Sequence, residues 1–173
     1  MNKKIVLGFL LFTLLIIGGG VLLANNLPSN TARTLGVKIE KTPGAKVEIP
    51  ETTFDFKNVS YSGGNIEHKF LIKNAGDKEL KIANLKTSCM CTTVSFKSIR
   101  EQSPTFGMEG HSKTVDWTGV LKPQEEGEMI VIFNPTAHGP QGVGPFSRFA
   151  SFETNDPDHP YIELSINGTV VKD

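Results

Sequence analysis

Short stretches in which apolar and polar residues alternate are the feature that most constrains the fold of this chain. The clearest stretch covers residues 66–74, where Ile66, His68, Phe70 and Ile72 fall on one side of an extended strand. About eight such segments follow one another with turn residues between them, and none repeats at helical period. Parallel sheets need long helical crossovers. The pattern therefore predicts an all-β fold, a two-sheet antiparallel β-sandwich of about eight strands.

The N-terminus differs from this pattern because it is continuously apolar. Lys3 and Lys4 precede residues 5–24, which carry no charge. A helix of that length crosses the hydrocarbon core of a bilayer, and the positive-inside rule keeps the lysines in the cytoplasm. The alternative is a cleaved signal peptide, but residues 22–24 (Leu-Leu-Ala) place a large residue where a small one is preferred. Residues 1–24 are therefore predicted to form a transmembrane signal-anchor.

The rest of the chain divides into a linker and a domain. Residues 25–45 are mostly polar and small, with two prolines and two glycines, and are predicted to form a flexible linker. Residues 46–173 contain the alternating segments and are predicted to form the sandwich. One N-terminal transmembrane helix should thus precede an exported β-domain.

Charge and motifs exclude two classes of function. The chain has 18 basic and 18 acidic residues, and without residues 1–24, which contain two lysines and no acid, 16 basic and 18 acidic residues remain. A domain without excess positive charge is not expected to bind nucleic acid. The sequence contains no GxSxG, HExxH or phosphate-loop motif, so the protein is predicted not to be an enzyme.

The two cysteines of the chain, Cys89 and Cys91, are separated by one residue. On a flat strand, residues two apart lie about 6.6 Å apart on the same face, whereas the Cα atoms of a disulfide lie about 5.5–6 Å apart. A Cys89–Cys91 disulfide therefore needs a bulge or a bend, and a strained disulfide is readily reduced. Export favours oxidation of the pair. A structural disulfide, a redox-active thiol pair and a metal site all remain open.

The metal-site hypothesis depends on two irregular segments, residues 98–114 and 134–144. Two thiolates on one face suit a soft metal such as Cu(I) or Zn(II). The irregular segments add thioether and imidazole donors, provided that both fold toward the cysteines. The candidate ligands are Cys89, Cys91, Met108, His111 and His138.

Other polar residues have simpler interpretations. His68 is predicted to be a partly buried structural histidine, and His159 an exposed turn residue. Four acidic residues lie in predicted turns and are interpreted as solvated charges: Glu125, Glu126, Asp156 and Asp158. The Asn-Asp-Pro sequence at residues 155–157 is typical of a turn.

Several short motifs together resemble a known family. They are FDFKNV (54–59), HKFLIKNAGD (68–77), LKI (80–82), TSCMCT (87–92), LKP (121–123) and TNDP (154–157). Over residues 46–171 the chain resembles a bacterial family of exported domains of unknown function, which have an immunoglobulin-like fold related to the ASPM/SPD-2/Hydin and major-sperm-protein modules. That family commonly has glycine between the cysteines, where this chain has Met90, and glycine at the position of Gln124. The resemblance implies a binding or scaffold module without an established enzymatic role.

The predicted function combines these points. The anchor, the linker and the immunoglobulin-like sandwich predict a membrane-tethered binding or scaffold module in the bacterial cell envelope, with its C-terminal domain on the extracytoplasmic, periplasmic side. Its expected partners are the membrane and an envelope protein of unknown identity. A copper- or zinc-handling domain and a thiol redox protein are the two alternatives.

Overall fold

A computed structural model describes residues 8, 11–13, 15–16, 36–111 and 115–172 of the chain. The chain divides into two compact units, Met1–Thr34 and Leu35–Asp173. Within the second unit the described residues form nine strands and one short 3₁₀ helix, Gly139–Gly142. The predicted all-β sandwich is confirmed, with nine strands rather than eight.

The strands form two sheets. The four-stranded sheet has the order β1–β3–β7–β5, built from β1 (Val47–Glu48), β3 (Ile66–Asn74), β7 (Glu126–Phe133) and β5 (Thr92–Ser98). The five-stranded sheet has the order β2–β9–β8–β4–β6, built from β2 (Thr53–Ser60), β9 (Tyr161–Val171), β8 (Gly144–Thr154), β4 (Leu80–Thr87) and β6 (Thr118–Leu121). The sandwich is not wholly antiparallel, because β2 pairs in parallel with β9. This pair joins strands far apart in sequence, so it needs no local crossover.

The core lies between the sheets and is built from the inward positions of alternating strands. In β3, Phe70 and Ile72 are fully buried, as the alternation predicts. His68 is partly buried and stacks on Phe54 with ring centroids 3.6 Å apart, which confirms its structural role. Burial of an apolar side chain such as Phe70 or Ile72 stabilises the folded state by about 1.5–3 kcal/mol. In β9, Leu164 and Ile166 are likewise buried.

Asp156 corrects one of the predictions. It is 1 % exposed and therefore is not a solvated turn residue. Burial alone would raise the pKa of its carboxyl group, but hydrogen bonds from the Val47 and Asp158 N–H groups and the His159 ring outweigh burial and hold the pKa below its ordinary value. Because Val47 belongs to β1 and Asp156 follows β8, this carboxylate links the two sheets.

Glu125 corrects a second prediction. Its side chain is only 10 % exposed and accepts hydrogen bonds from the Lys122 N–H and from Arg100 Nε, both at 2.9 Å. The Lys122 N–H is the main reason that the pKa of the Glu125 carboxyl lies below its ordinary value. Glu126 and Asp158 are exposed, as predicted, and so is His159.

The N-terminal predictions fall largely outside the described residues. The six described residues before residue 17 are helical, and among them Leu11, Phe12, Leu15 and Ile16 are exposed. No helix formed by the described part of the chain is long and apolar enough to cross a membrane.

Part of the predicted linker contacts the sandwich, whereas residues 25–35 lie outside the described ranges. The Val37 N–H donates to Asn84 Oδ1 at 2.8 Å, and Asn84 Nδ2 donates back to the Val37 carbonyl at 2.9 Å. The Thr42 N–H donates to the Asn155 carbonyl at 2.8 Å. These bonds attach residues 37–42 to the strands of the sandwich and to the turn after β8.

Candidate functional site at the cysteine turn

Cys89 and Cys91 lie in a turn rather than in a strand, and they form a disulfide. The next strand, β5, begins at Thr92, one residue after Cys91. The Cys89 carbonyl accepts a hydrogen bond from the Thr92 N–H at 3.1 Å, which closes the turn. The two Cα atoms lie 5.2 Å apart, within the range of disulfides. The turn thus supplies the bend that a flat strand lacks.

The turn connects the sheets and is attached on both sides. It leads from β4 in the five-stranded sheet to β5 in the four-stranded sheet. On the β8 side, the Ser88 N–H donates to the Phe149 carbonyl at 2.9 Å, and the Phe149 N–H donates to Ser88 Oγ at 3.0 Å. On the β7 side, the Asn134 N–H donates to the Cys91 carbonyl at 2.9 Å. The backbone of the turn is therefore fixed independently of the disulfide.

Two basic side chains contact the sulfur atoms. Arg148 Nε donates to Cys91 Sγ at 3.1 Å, and His138 Nε2 lies 3.2 Å from Cys89 Sγ. Cys91 is 3 % exposed and packs in the core, whereas Cys89 is only partly buried. Cys89 Sγ is therefore the more accessible sulfur of the disulfide and lies beside an exposed histidine. Cys91 Sγ is buried and accepts a hydrogen bond from an arginine N–H.

A cleft of about 460 Å³ opens beside the disulfide, at the end of the sandwich where β7 ends and β8 begins. Its volume lies in the range of ligand sites, about 300–1,000 Å³. Phe133 and Phe146, whose stacked ring centroids are 4.2 Å apart, contribute to its lining. His138 and Arg148 line the same cleft. Both side chains that contact the sulfur atoms therefore also face this space.

The structure brings together three of the five predicted metal ligands. One ligand atom each of Cys89, Cys91 and His138 lies within 4.8 Å of the others. His111 is exposed and does not belong to this group. Met108 forms a main-chain bridge with Thr87, one residue before the turn. The irregular segment 134–144 thus folds toward the cysteines, which is the condition that the metal-site hypothesis sets, and His138 is its donor in this group.

Arg148 is the site residue that sequence reasoning missed. The alternation of β8 places it on the same side as Phe146, Ala150 and Phe152, all of which are buried. A charged residue on the inward face of an apolar strand is seldom left without a partner. That position is the signal from which Arg148 could have been selected.

Comparisons with known proteins agree with the resemblance described above. Residues 47–104 match the family model described as "Protein of unknown function (DUF1573)". The match covers β1 to β5 of the sandwich. A search of curated proteins found no match.

Solved structures with a similar fold include a protein of unknown function from Porphyromonas gingivalis W83. It is 16 % identical with a TM-score of 0.54, and the alignment covers 83 % of this chain and 51 % of that one. This chain therefore spans about half of that protein, and the likeness concerns the fold alone. The ASH/PapD-like domain of human CEP192 aligns at 20 % identity and a TM-score of 0.46, covering 79 % of this chain and 94 % of that domain.

Proposed function

We propose that this protein is a membrane-tethered binding module of the bacterial cell envelope, whose sandwich lies on the extracytoplasmic side and binds another envelope protein. The cleft of about 460 Å³ beside the cysteine turn is the observation that carries this proposal. Concave surfaces of this size are the usual ligand sites of proteins. The connections at the ends of β-sandwiches are also where such folds commonly carry binding residues.

The surface around the cleft has the composition of a protein interface. Met90, at the tip of the cysteine turn, is 62 % exposed, and Phe149, whose backbone pairs with Ser88, is 38 % exposed. Arg148 and His138 add positively charged and polar groups in the cleft. Methionine, aromatic residues and arginine are enriched at protein–protein interfaces. An apolar partner segment with an acidic or polar end is complementary to this surface.

Two features support the membrane tether and the extracytoplasmic location. Residues 5–24 carry no charge, and the apolar side chains of Leu11, Phe12, Leu15 and Ile16 are between 58 % and 75 % exposed. Such side chains favour a hydrocarbon environment over water. The Cys89–Cys91 disulfide is the expected state of a cysteine pair in an oxidising compartment.

In-cell crosslinking followed by purification of the tagged full-length chain tests this proposal. Val143→Glu introduces a charge into the lining of the cleft. Ile99→Glu changes a residue that is 87 % exposed and follows the opposite end of β5, so it serves as the matched control. Wild type and Ile99→Glu should recover the same envelope protein. Val143→Glu should recover at least about tenfold less, because its carboxylate competes with the acidic end of the partner for Arg148 and His138, and losing a hydrogen bond to a charged group costs about 1.5–3 kcal/mol. Equal recovery by both variants, or no partner with any crosslinker, contradicts the proposal.

Soft-metal binding is a second candidate function, favoured by the convergence of the Cys89, Cys91 and His138 ligand atoms within 4.8 Å. Two thiolates and an imidazole suit Cu(I) or Zn(II), and this function requires the reduced protein. Competition of the reduced full-length chain with a chromophoric Cu(I) chelator measures the affinity. His138→Ala should weaken binding at least about tenfold and His111→Ala should leave it unchanged, because loss of a direct ligand costs at least as much as loss of its supporting contacts. Equal affinities of the two variants exclude this site.

A further inference from the structure

The disulfide is asymmetric in a way that bears on its reactivity. Cys89 is partly buried and lies next to exposed His138, whereas Cys91 is 3 % exposed. An external nucleophile therefore has better access to Cys89 Sγ than to Cys91 Sγ. Attack on Cys89 drives the electron pair of the broken bond onto Cys91 Sγ. Arg148 Nε lies 3.1 Å from that atom and donates to it.

We propose that Cys89–Cys91 is a thiol–disulfide exchange site, which accepts two electrons from a dithiol of another protein. In the first step, a thiolate of the dithiol attacks Cys89 Sγ. A sulfur–sulfur bond forms between the substrate and Cys89, the Cys89–Cys91 bond breaks, and Cys91 leaves as a thiolate. In the second step, the second thiolate of the substrate attacks the substrate sulfur of this mixed disulfide, and Cys89 leaves as a thiolate. The substrate leaves as a disulfide, and both cysteines are reduced and take up protons from solvent.

Each leaving sulfur meets a basic side chain already in place. The Arg148 guanidinium contacts Cys91 Sγ, and its Nη1 donates to the Ser147 carbonyl at 2.8 Å, which fixes its orientation. His138 Nε2 lies 3.2 Å from Cys89 Sγ, the sulfur released in the second step. Donors that are oriented before the reaction stabilise developing negative charge most effectively. The cleft lined by His138 and Arg148 gives the substrate thiol access to this end of the sandwich.

A purely structural role explains the disulfide less well. The stabilisation from a disulfide grows with the length of the loop that it closes, and this loop contains only three residues. The turn is also held without it, by the Thr92 N–H bond to the Cys89 carbonyl and by the Thr87 hydroxyl, which lies 3.0 Å from the same carbonyl. The inference does not rest on the proposed binding function, because exchange is measured without an envelope partner.

Kinetics of reduction test the role of Arg148. The oxidised full-length chain in detergent is mixed with excess dithiothreitol at fixed pH, quenched at intervals with a maleimide-polyethylene glycol, and scored for free thiols by gel shift. Arg148→Gln should slow reduction about tenfold to a hundredfold, as expected when a charged donor to a developing anion is lost. Arg148→Lys should restore part of the rate. Arg100→Gln removes a surface arginine paired with Glu125 and should react like wild type.

Single-cysteine variants test which sulfur an external reagent reaches. With oxidised glutathione as the probe, at a pH high enough to ionise both thiols, Cys91→Ser, which retains Cys89, should form a mixed disulfide at least about tenfold faster than Cys89→Ser, because access to the sulfur then decides the rate. Circular dichroism of each variant confirms that the fold is retained, and the conservative Arg148→Lys covers the case in which Arg148→Gln fails to fold. Equal reduction rates for wild type and both Arg148 variants overturn the proposal. A faster reaction of Cys91 than of Cys89 also overturns it.

Discussion

Asp156→Asn is the substitution with the most direct consequence for stability. Asp156 Oδ2 accepts the Val47 N–H at 3.0 Å and lies 3.2 Å from His159 Nδ1, and Oδ1 accepts the Asp158 N–H at 2.8 Å. Asparagine replaces one of these oxygens by an amide nitrogen, which cannot accept a hydrogen bond. One of the two backbone N–H groups, that of Val47 or that of Asp158, therefore loses its acceptor. The other then donates to a neutral amide oxygen instead of a charged carboxylate.

The expected loss follows from these contacts. An unsatisfied buried donor costs about 1–3 kcal/mol, and a hydrogen bond to a charged group contributes about 1.5–3 kcal/mol against about 0.5–1.5 kcal/mol for a neutral one. We expect Asp156→Asn to lower the free energy of unfolding by about 2–3 kcal/mol at neutral pH. Asp158→Asn is the matched control, because Asp158 is exposed and contributes its main-chain N–H rather than its carboxylate to the network. It should change stability by less than about 0.5 kcal/mol.

The effect should depend on pH in a defined direction. The folded-state pKa of Asp156 lies below its ordinary value of 3.8, so the carboxylate contributes its full stabilisation above that pH. The contribution is lost as the pH falls through the folded-state pKa. The difference between wild type and Asp156→Asn should therefore shrink below pH 3.8.

Urea unfolding of the full-length chain, followed by the fluorescence of Trp117, measures these differences. Trp117 is the only tryptophan of the chain and packs against Phe96 and Phe106, with ring centroids 5.8 Å and 6.3 Å away. Its emission therefore reports on the core. If the free energy of unfolding of Asp156→Asn lies within about 0.5 kcal/mol of the wild-type value at neutral pH, the Asp156 hydrogen bonds do not stabilise the fold as described. If the difference in stability persists unchanged at acid pH, the charge of the Asp156 carboxylate is not its cause.

Two further predictions concern the cysteine turn and the core. Reduction of the Cys89–Cys91 disulfide should lower the free energy of unfolding by only about 1.6 kcal/mol, the chain-entropy value for a three-residue loop. Urea titrations with and without reductant measure this difference. A loss above about 4 kcal/mol would show that the disulfide is mainly structural. Gly127→Ala would place a Cβ atom 2.6 Å from Phe96 Cζ. The substitution should therefore destabilise the sandwich by about 1–3 kcal/mol, measured by thermal denaturation. An unchanged melting temperature would contradict the close contact between Gly127 and Phe96.

The sequence predicted the strands well because alternation reports directly on burial. Residues 66–74 coincide with β3, and the inward face of that strand is the one that alternation selected. The same alternation accounts for the burial of Leu164 and Ile166 in β9. These assignments need only local information, since a strand with one buried face fixes which residues point inward.

Residues whose environment depends on distant contacts were predicted less well. Asp156 looked like a solvated turn residue because its partner Val47 lies 109 positions away in the chain. The register between β5 and β7, with Thr92 opposite Phe133, brings Asn134 to the Cys91 carbonyl and so determines where His138 lies. Alternation fixes the faces of two strands but leaves open how far one slides along the other in steps of two residues. The approach of His138 to Cys89 therefore follows from the register and not from the alternation.

The two irregular segments illustrate the same limit. The metal-site hypothesis requires both to approach the cysteines, and both lack a period from which contacts could be inferred. The first pairs along β5 through the bridge between Val94 and Phe106, which buries Phe106 and leaves His111 exposed. The second ends in the short 3₁₀ helix Gly139–Gly142, directly after His138. Backbone pairing rather than side-chain chemistry determines which of the predicted donors reaches the site.

Site-specific photocrosslinking in intact cells tests most directly whether the cysteine turn and its cleft form the binding surface. A photoreactive residue is introduced in place of Met90, which is 62 % exposed at the tip of the turn, or in place of Ile99, which is 87 % exposed at the opposite end of β5. We expect a discrete crosslinked envelope protein from position 90 and none from position 99. Crosslinking of the same protein from position 99 alone, or from neither position, would contradict it.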